Sequence, residues 1–71
     1  QEPVIAPTDA LRVDIAAAIE SLPQHYREVL LLRDLEELTI DEICGRLGLS
    51  REAAKARLHR ARLLVREYLV G

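Results

Sequence analysis

The run SREAAKARLHRARLLVR, Ser50 to Arg66, holds six of the chain's ten basic residues: Arg51, Lys55, Arg57, Arg60, Arg62 and Arg66. One acid, Glu52, lies among them. The run has no Gly, no Pro and no β-branched residue before Val65, so little in it opposes a helix. Ser50 is placed to accept the first free backbone N–H groups as N-cap. At helical spacing Ala54, Leu58, Ala61 and Val65 make one apolar stripe, and Lys55, Ala56, His59 and Arg60 face away from it. A helix apolar on one side and cationic on the other has two readings: it lies on a membrane surface, or it reads a nucleic acid. The residues just before it decide between them.

Those residues predict a second, shorter helix and a tight turn. Thr39-Ile40-Asp41-Glu42 fits the capping box, in which Thr39 caps the helix and Glu42 reaches back to the Thr39 N–H. Ile40, Ile43, Cys44 and Leu47 follow as a buried face. Gly48 ends the helix, because Gly takes the left-handed conformation at low cost, and Leu49 plugs the turn. A short helix, the turn Leu-Gly-Leu-Ser and a long helix make a helix-turn-helix. Cys44 and Ala54 are small where the two helices must come close. In a major groove, the first half of the long helix would offer Arg51, Glu52, Lys55, Ala56, His59 and Arg60 to base edges. Arg57 and Arg62 at its flanks suit phosphates, as do the N–H groups of the Ser50-capped end. A membrane-surface helix needs neither a capping box nor a turn glycine, so the folded reading prevails.

Upstream, Gln1 to Pro7, QEPVIAP, has two prolines and no period, and reads as the end of a linker. Thr8 suits an N-cap, and Asp9 suits the positive end of a helix. Leu11, Ile15, Ala18, Ile19 and Leu22 then repeat at helical steps. Pro23 fits the first position of the next helix, where its missing N–H costs nothing. Tyr26, Val29, Leu30 and Arg33 continue it, and VLLLR is apolar nearly all round, which makes this helix central. Asp34 to Leu38, DLEEL, is an acidic connection. Helices are predicted over residues 9–21, 23–34, 40–47 and 51–69. No stretch alternates as a strand does. The fold class is all-α: a small bundle of about four helices around a helix-turn-helix, of the winged-helix-like superfamily without a wing, with one domain over residues 8–71.

Composition supports this reading. With 71 residues there is room for one small domain of modest stability, and 31% charged against 49% hydrophobic residues fits a helical globule. No apolar run approaches the ~20 residues of a membrane span. The absence of an initiator Met and of a signal peptide points to a piece of a longer protein. One Cys excludes an internal disulfide and a multi-cysteine metal site. The net charge of −2 conceals a division. Residues 1–45 hold three basic and ten acidic residues, a balance of −7, and residues 46–71 hold seven and two, a balance of +5. A polyanion feels the local field, so a mildly acidic chain still offers it a cationic face.

With these pieces in place, the chain resembles region four of bacterial sigma factors, in particular the extracytoplasmic-function group. The resemblance rests on LPQHYREVLLLRDLEELTIDEICGRLGLS and AAKARLHRAR and runs from Leu11 to Leu69. It implies a cytoplasmic domain that binds the minus-35 promoter element while attached to RNA polymerase. It also implies that residues 1–7 end a linker from region two, that the flap of the polymerase β subunit docks on the domain, and that an anti-sigma factor covers it. The family often has Gly-Thr-Val where this chain has Glu52-Ala53-Ala54, and Ala where it has Cys44. The missing hydroxyl at Ala53 and the acid at Glu52 leave the base code unread. Glu52 either accepts from a cytosine amino group or favours the helix dipole.

Other chemistries have little support. No residue set calls for a cofactor, and no nucleophile is placed beside a base: Ser50 has its capping role and no His near it in the pattern. His59 and His25 are the two histidines, and with Cys44 buried they make no metal site. Cys44 reads as a small core residue, and Tyr26 and Tyr68 as packing residues with wet hydroxyls. Asp34, Glu36 and Glu37 read as a solvated loop, or as acids that attract a basic partner or repel wrong DNA poses. Two readings from other classes stay open beside promoter binding. One is a protein-interaction module for polymerase or an anti-sigma factor; the other is the effector domain of a two-component or quorum-type regulator.

Overall fold

The computed structural model describes the backbone from Pro7 and the side chains from Asp14 to Gly71. Four α-helices follow one another, α1 (Pro7–Glu20), α2 (Gln24–Leu30), α3 (Ile40–Leu47) and α4 (Arg51–Val70), with a π-helical turn over Leu31–Leu35 continuing α2. There is no strand among the described residues. The fold is the all-α helix-turn-helix bundle that the spacing predicts.

Helix α1 starts at Pro7, not after a Thr8 cap. Proline suits a first turn, where no N–H is needed. The side chains of Thr8, Asp9 and Leu11, and residues 1–6 of the linker expected over residues 1–7, lie outside the described residues, while Pro7 belongs to α1. Ala18 and Leu22 are buried and Ile19 packs on the core, but Ile15 is 37% exposed. At the end of α1, Ser21 Oγ donates to the Ala18 carbonyl at 2.6 Å and Arg27 Nη1 to the Glu20 carbonyl at 3.3 Å. These bonds occupy acceptors that the helix leaves free. Pro23 is the N-cap of α2 rather than its first residue. With ψ at 148° its carbonyl accepts from the Tyr26 and Arg27 N–H groups.

The expected acidic connection is partly helical. The π turn carries Arg33, Asp34 and Leu35, and Glu36 N–H closes it on the Leu31 carbonyl at 3.0 Å. Glu37 then takes φ 58°, the one non-glycine with positive φ among the described residues. That lets the Leu38 N–H return to the Leu32 carbonyl at 2.9 Å, while Arg33 Nη1 donates to the Leu38 carbonyl at 2.9 Å. The chain is thereby turned into α3.

The core is small and tightly drawn. Val29 of α2 and Ile43 of α3 are its largest fully buried side chains, joined by Leu22, Leu30, Leu32 and, from α4, Ala54, Leu58 and Ala61. Helix α4 packs against α1, α2 and α3 alike, so it is the common partner of the bundle. Alanines make that possible: Ala54 and Ala61 have no exposed surface, and a methyl lets a neighbouring backbone approach where a longer side chain would hold it off. Cys44, expected to be buried, is half-buried beside this core, because it sits at the edge of the α3 face that Ile43 centres. Tyr26 packs on the core, whereas Tyr68 is 52% exposed, since α4 runs past its neighbours near its end.

Candidate functional site

The helix-turn-helix is held at each joint by local hydrogen bonds. At the start of α3 the capping box is complete: Glu42 N–H donates to Thr39 Oγ1 at 3.1 Å and Thr39 N–H to Glu42 Oε1 at 2.9 Å. Those bonds, the Thr39 backbone N–H first and its side chain second, hold the Glu42 carboxyl below its usual range, with Arg46 adding to the effect. Gly48 sits at φ 67° and ends α3, and the Leu49 N–H returns to the Cys44 carbonyl at 3.1 Å. Leu49 itself packs on the core. Ser50 Oγ then accepts from the Ala53 N–H at 3.1 Å as the N-cap of α4. The turn is short and satisfied, so the angle between α3 and α4 is set by packing across Ile43, Ala54 and Leu58.

On α4 the buried stripe is Ala54, Leu58 and Ala61, extended by the half-buried Val65. Every residue that the sequence assigns to nucleic acid lies off that stripe. Ser50, Arg51, Glu52, Lys55, Ala56, His59, Arg60 and Arg62 are exposed, and Arg57 is half-buried. At about 100° per residue they fall into three rows. Glu52, Ala56, His59 and Arg60 face outward. Arg51, Lys55, Arg62 and Arg66 lie within about 60° of one another along one flank. Arg57 stands alone on the opposite flank.

The flank row meets carboxylates from the supporting elements. Arg51 Nη1 donates to Asp41 Oδ1 of α3, and Arg62 Nη2 donates to Asp34 Oδ1 of the π turn at 2.7 Å. These are the two side-chain ion pairs among the described residues, and both are solvent-exposed. Scanning α4 for acids at helical spacing does not find them, because the partners come from other elements, 10 and 28 residues away. Lys55, Arg60 and Arg66 have no such partner among the described residues.

A second feature lies on the far side of Arg62. Ile15 and Ile19 of α1, Leu30, Leu31 and Leu35 of α2 and the π turn, and Val65 of α4 line an open apolar groove of about 350 Å³, with Asp34 and Arg62 at its rim. Leu35 is 74% exposed there. The sequence marks the aliphatic run but not the groove, since which leucine stays outside depends on the π turn. Among the described residues no cluster of three or more His, Cys, Asp or Glu is placed to hold a metal ion, and no helix is long and apolar enough to cross a membrane.

Comparison with known proteins gives the chain relatives. Residues 12–65 match the family described as Sigma-70, region 4. The ECF RNA polymerase sigma factor SigE of Mycolicibacterium smegmatis is 39% identical over 59 residues, covering 83% of this chain and 23% of that protein. The RNA polymerase sigma factor SigZ of Bacillus subtilis is 38% identical over 64 residues, covering 90% of this chain and 36% of that protein. SigV of the same organism is 36% identical over 53 residues, covering 75% and 32%. The chain thus spans about a quarter to a third of the length of the curated relatives it matches. No solved structure matches it.

Proposed function

The chain belongs to the sigma-70 region 4 family, and from that premise we propose that it is the domain with which a sigma factor binds the minus-35 promoter element during transcription initiation. The observation that carries this reading is the set of solvent-exposed cations Arg51, Lys55, Arg60, Arg62 and Arg66 along α4 of a capped helix-turn-helix. In it α4 enters the major groove from its Ser50 end. Arg51, Glu52, Lys55, Ala56, His59 and Arg60 meet base edges there, and Arg57 and Arg62 meet phosphates. Arg57 is half-buried, and an arginine that lays its stem on apolar surface while its guanidinium stays in water suits a backbone contact.

A titration of this chain against duplex DNA over a salt series tests the reading. Affinity falls with salt, with a slope of about −0.9 in log–log form for each phosphate neutralised. Replacing Lys55 and Arg60 together by Ala lowers affinity for a preferred duplex more than for a random one, and Arg57→Ala makes that slope shallower by about 1. A flat salt response overturns DNA binding.

The apolar groove favours a second contact on the same domain. An exposed leucine on an apolar rim is a surface that a protein partner covers at a gain of about 25 cal/mol per Å² of apolar area buried. In this reading the β-subunit flap of RNA polymerase docks there, and an anti-sigma factor competes for the domain. DNA and polymerase then use different faces, with α4 common to both.

A further inference from the structure

Arg51 and Arg62 lie in the flank row of α4 about 16 Å apart along the helix axis. Each has its guanidinium turned onto a carboxylate, Asp41 for Arg51 and Asp34 for Arg62. The other two members of the row, Lys55 and Arg66, have no ion-pair partner among the described residues. A carboxylate offers an arginine fork much of what a phosphate offers, two anionic oxygens in one plane. When a strand of DNA backbone passes this flank, an arginine that leaves its carboxylate for a phosphate exchanges one such contact for another. An arginine with no prior partner gains the whole contact. Half of the flank is therefore shielded against phosphates that arrive in an arbitrary register.

We propose that Asp34 and Asp41 are positioning residues that hold Arg62 and Arg51 off arbitrary phosphates and so restrain sequence-independent binding. Sequence-independent binding is driven almost wholly by phosphate neutralisation. Holding two flank arginines on protein carboxylates lowers affinity for any duplex that must draw them away. The pairs are exposed at both ends, so they add little to stability, and their removal leaves the fold in place. This inference rests on the DNA-binding reading above.

The test compares this 71-residue chain with Asp34→Asn, Asp41→Asn and Glu36→Gln. Glu36 is exposed and pairs with no arginine among the described residues, so its change removes the same charge without releasing a cation. Two probes are used: a short random-sequence duplex, and the duplex that the wild-type chain enriches from a random pool. Each aspartate variant raises affinity for the random duplex about fivefold near 0.1 M salt and steepens its salt slope by about 0.9, as one further phosphate contact requires. Affinity for the enriched duplex rises as well. Glu36→Gln raises both affinities by one smaller factor and leaves the random-duplex slope unchanged. A double-mutant cycle adds a readout that a structural role would not move. Arg51→Gln leaves the random-duplex slope nearly unchanged in the wild type, and lowers it by about 0.9 in the Asp41→Asn background.

Aspartate variants that match Glu36→Gln in affinity and slope on the random duplex overturn the proposal, as does a fall in affinity for both duplexes. A wild-type chain that binds neither duplex overturns the DNA-binding reading and this proposal with it. The two failures are thus told apart by the wild-type titration alone.

Discussion

Thr39 and Glu42 close on each other at the start of α3: the Thr39 N–H donates to Glu42 Oε1 at 2.9 Å, and the Glu42 N–H donates to Thr39 Oγ1 at 3.1 Å. Two donors that the helix leaves free are satisfied by one pair of side chains. Thr39→Ala removes the cap and lowers stability by about 1 kcal/mol in a denaturant titration. Binding falls only as far as unfolding accounts for, since Thr39 is no part of the cationic side of α4.

The same box gives the fold an acid dependence of known sign. Its hydrogen bonds depress the Glu42 pKa in the folded state. The unfolded chain therefore binds this proton more readily, and the contribution is fully present above the ordinary glutamate value of 4.5. It is lost as pH falls through the depressed folded value. Glu42→Gln flattens that part of the stability–pH curve below the ordinary value. An unchanged curve would show that the box does not survive in solution.

Two left-handed residues respond in opposite directions. Gly48 holds φ 67° and Glu37 holds φ 58°, a region that costs a residue with a Cβ about 1–2 kcal/mol. Gly48→Ala lowers stability by about 1 kcal/mol and Glu37→Gly raises it by up to about 1 kcal/mol. Thermal unfolding of the two variants reads both signs.

Ile43 has no exposed surface and joins α3 to α4 through Ala54 and Leu58. Ile43→Ala costs about 2–5 kcal/mol. For a chain of this size, whose whole stability is about 4–10 kcal/mol, that loss leaves a large unfolded fraction. Ala61→Leu reaches a similar end by the opposite route, because the extra methylenes have no space where α4 meets its neighbours. Hydrogen exchange on the α4 amides reports both.

Leu35 separates the two proposed contacts. It is 74% exposed on the groove rim, so Leu35→Asp leaves the fold intact. Its DNA affinity falls by no more than the small factor that one added negative charge near Arg62 brings, while binding to the polymerase β flap drops about tenfold or more, as the loss of an apolar anchor does. Equal loss of both activities would mean that the groove and the cationic side are not independent surfaces.

The parts of this domain that were legible in the sequence are those made within a few residues of chain. The capping box, the turn glycine, the Ser50 cap and the apolar stripe of α4 each depend on spacings of three or four residues, and helix geometry converts such spacings directly into contacts. The cationic side of α4 follows from that stripe, since whatever is not pinned to the support must face solvent. Tertiary structure decided the rest. Asp34 and Arg62 are 28 residues apart and meet because α4 packs against α2, which the π turn continues. Asp41 and Arg51 meet because Gly48 folds α3 back beside the start of α4. The π turn itself, the left-handed Glu37 and the exposure of Leu35 answer to packing against α3 and α4, and packing is a property of the whole bundle that no short window of residues carries.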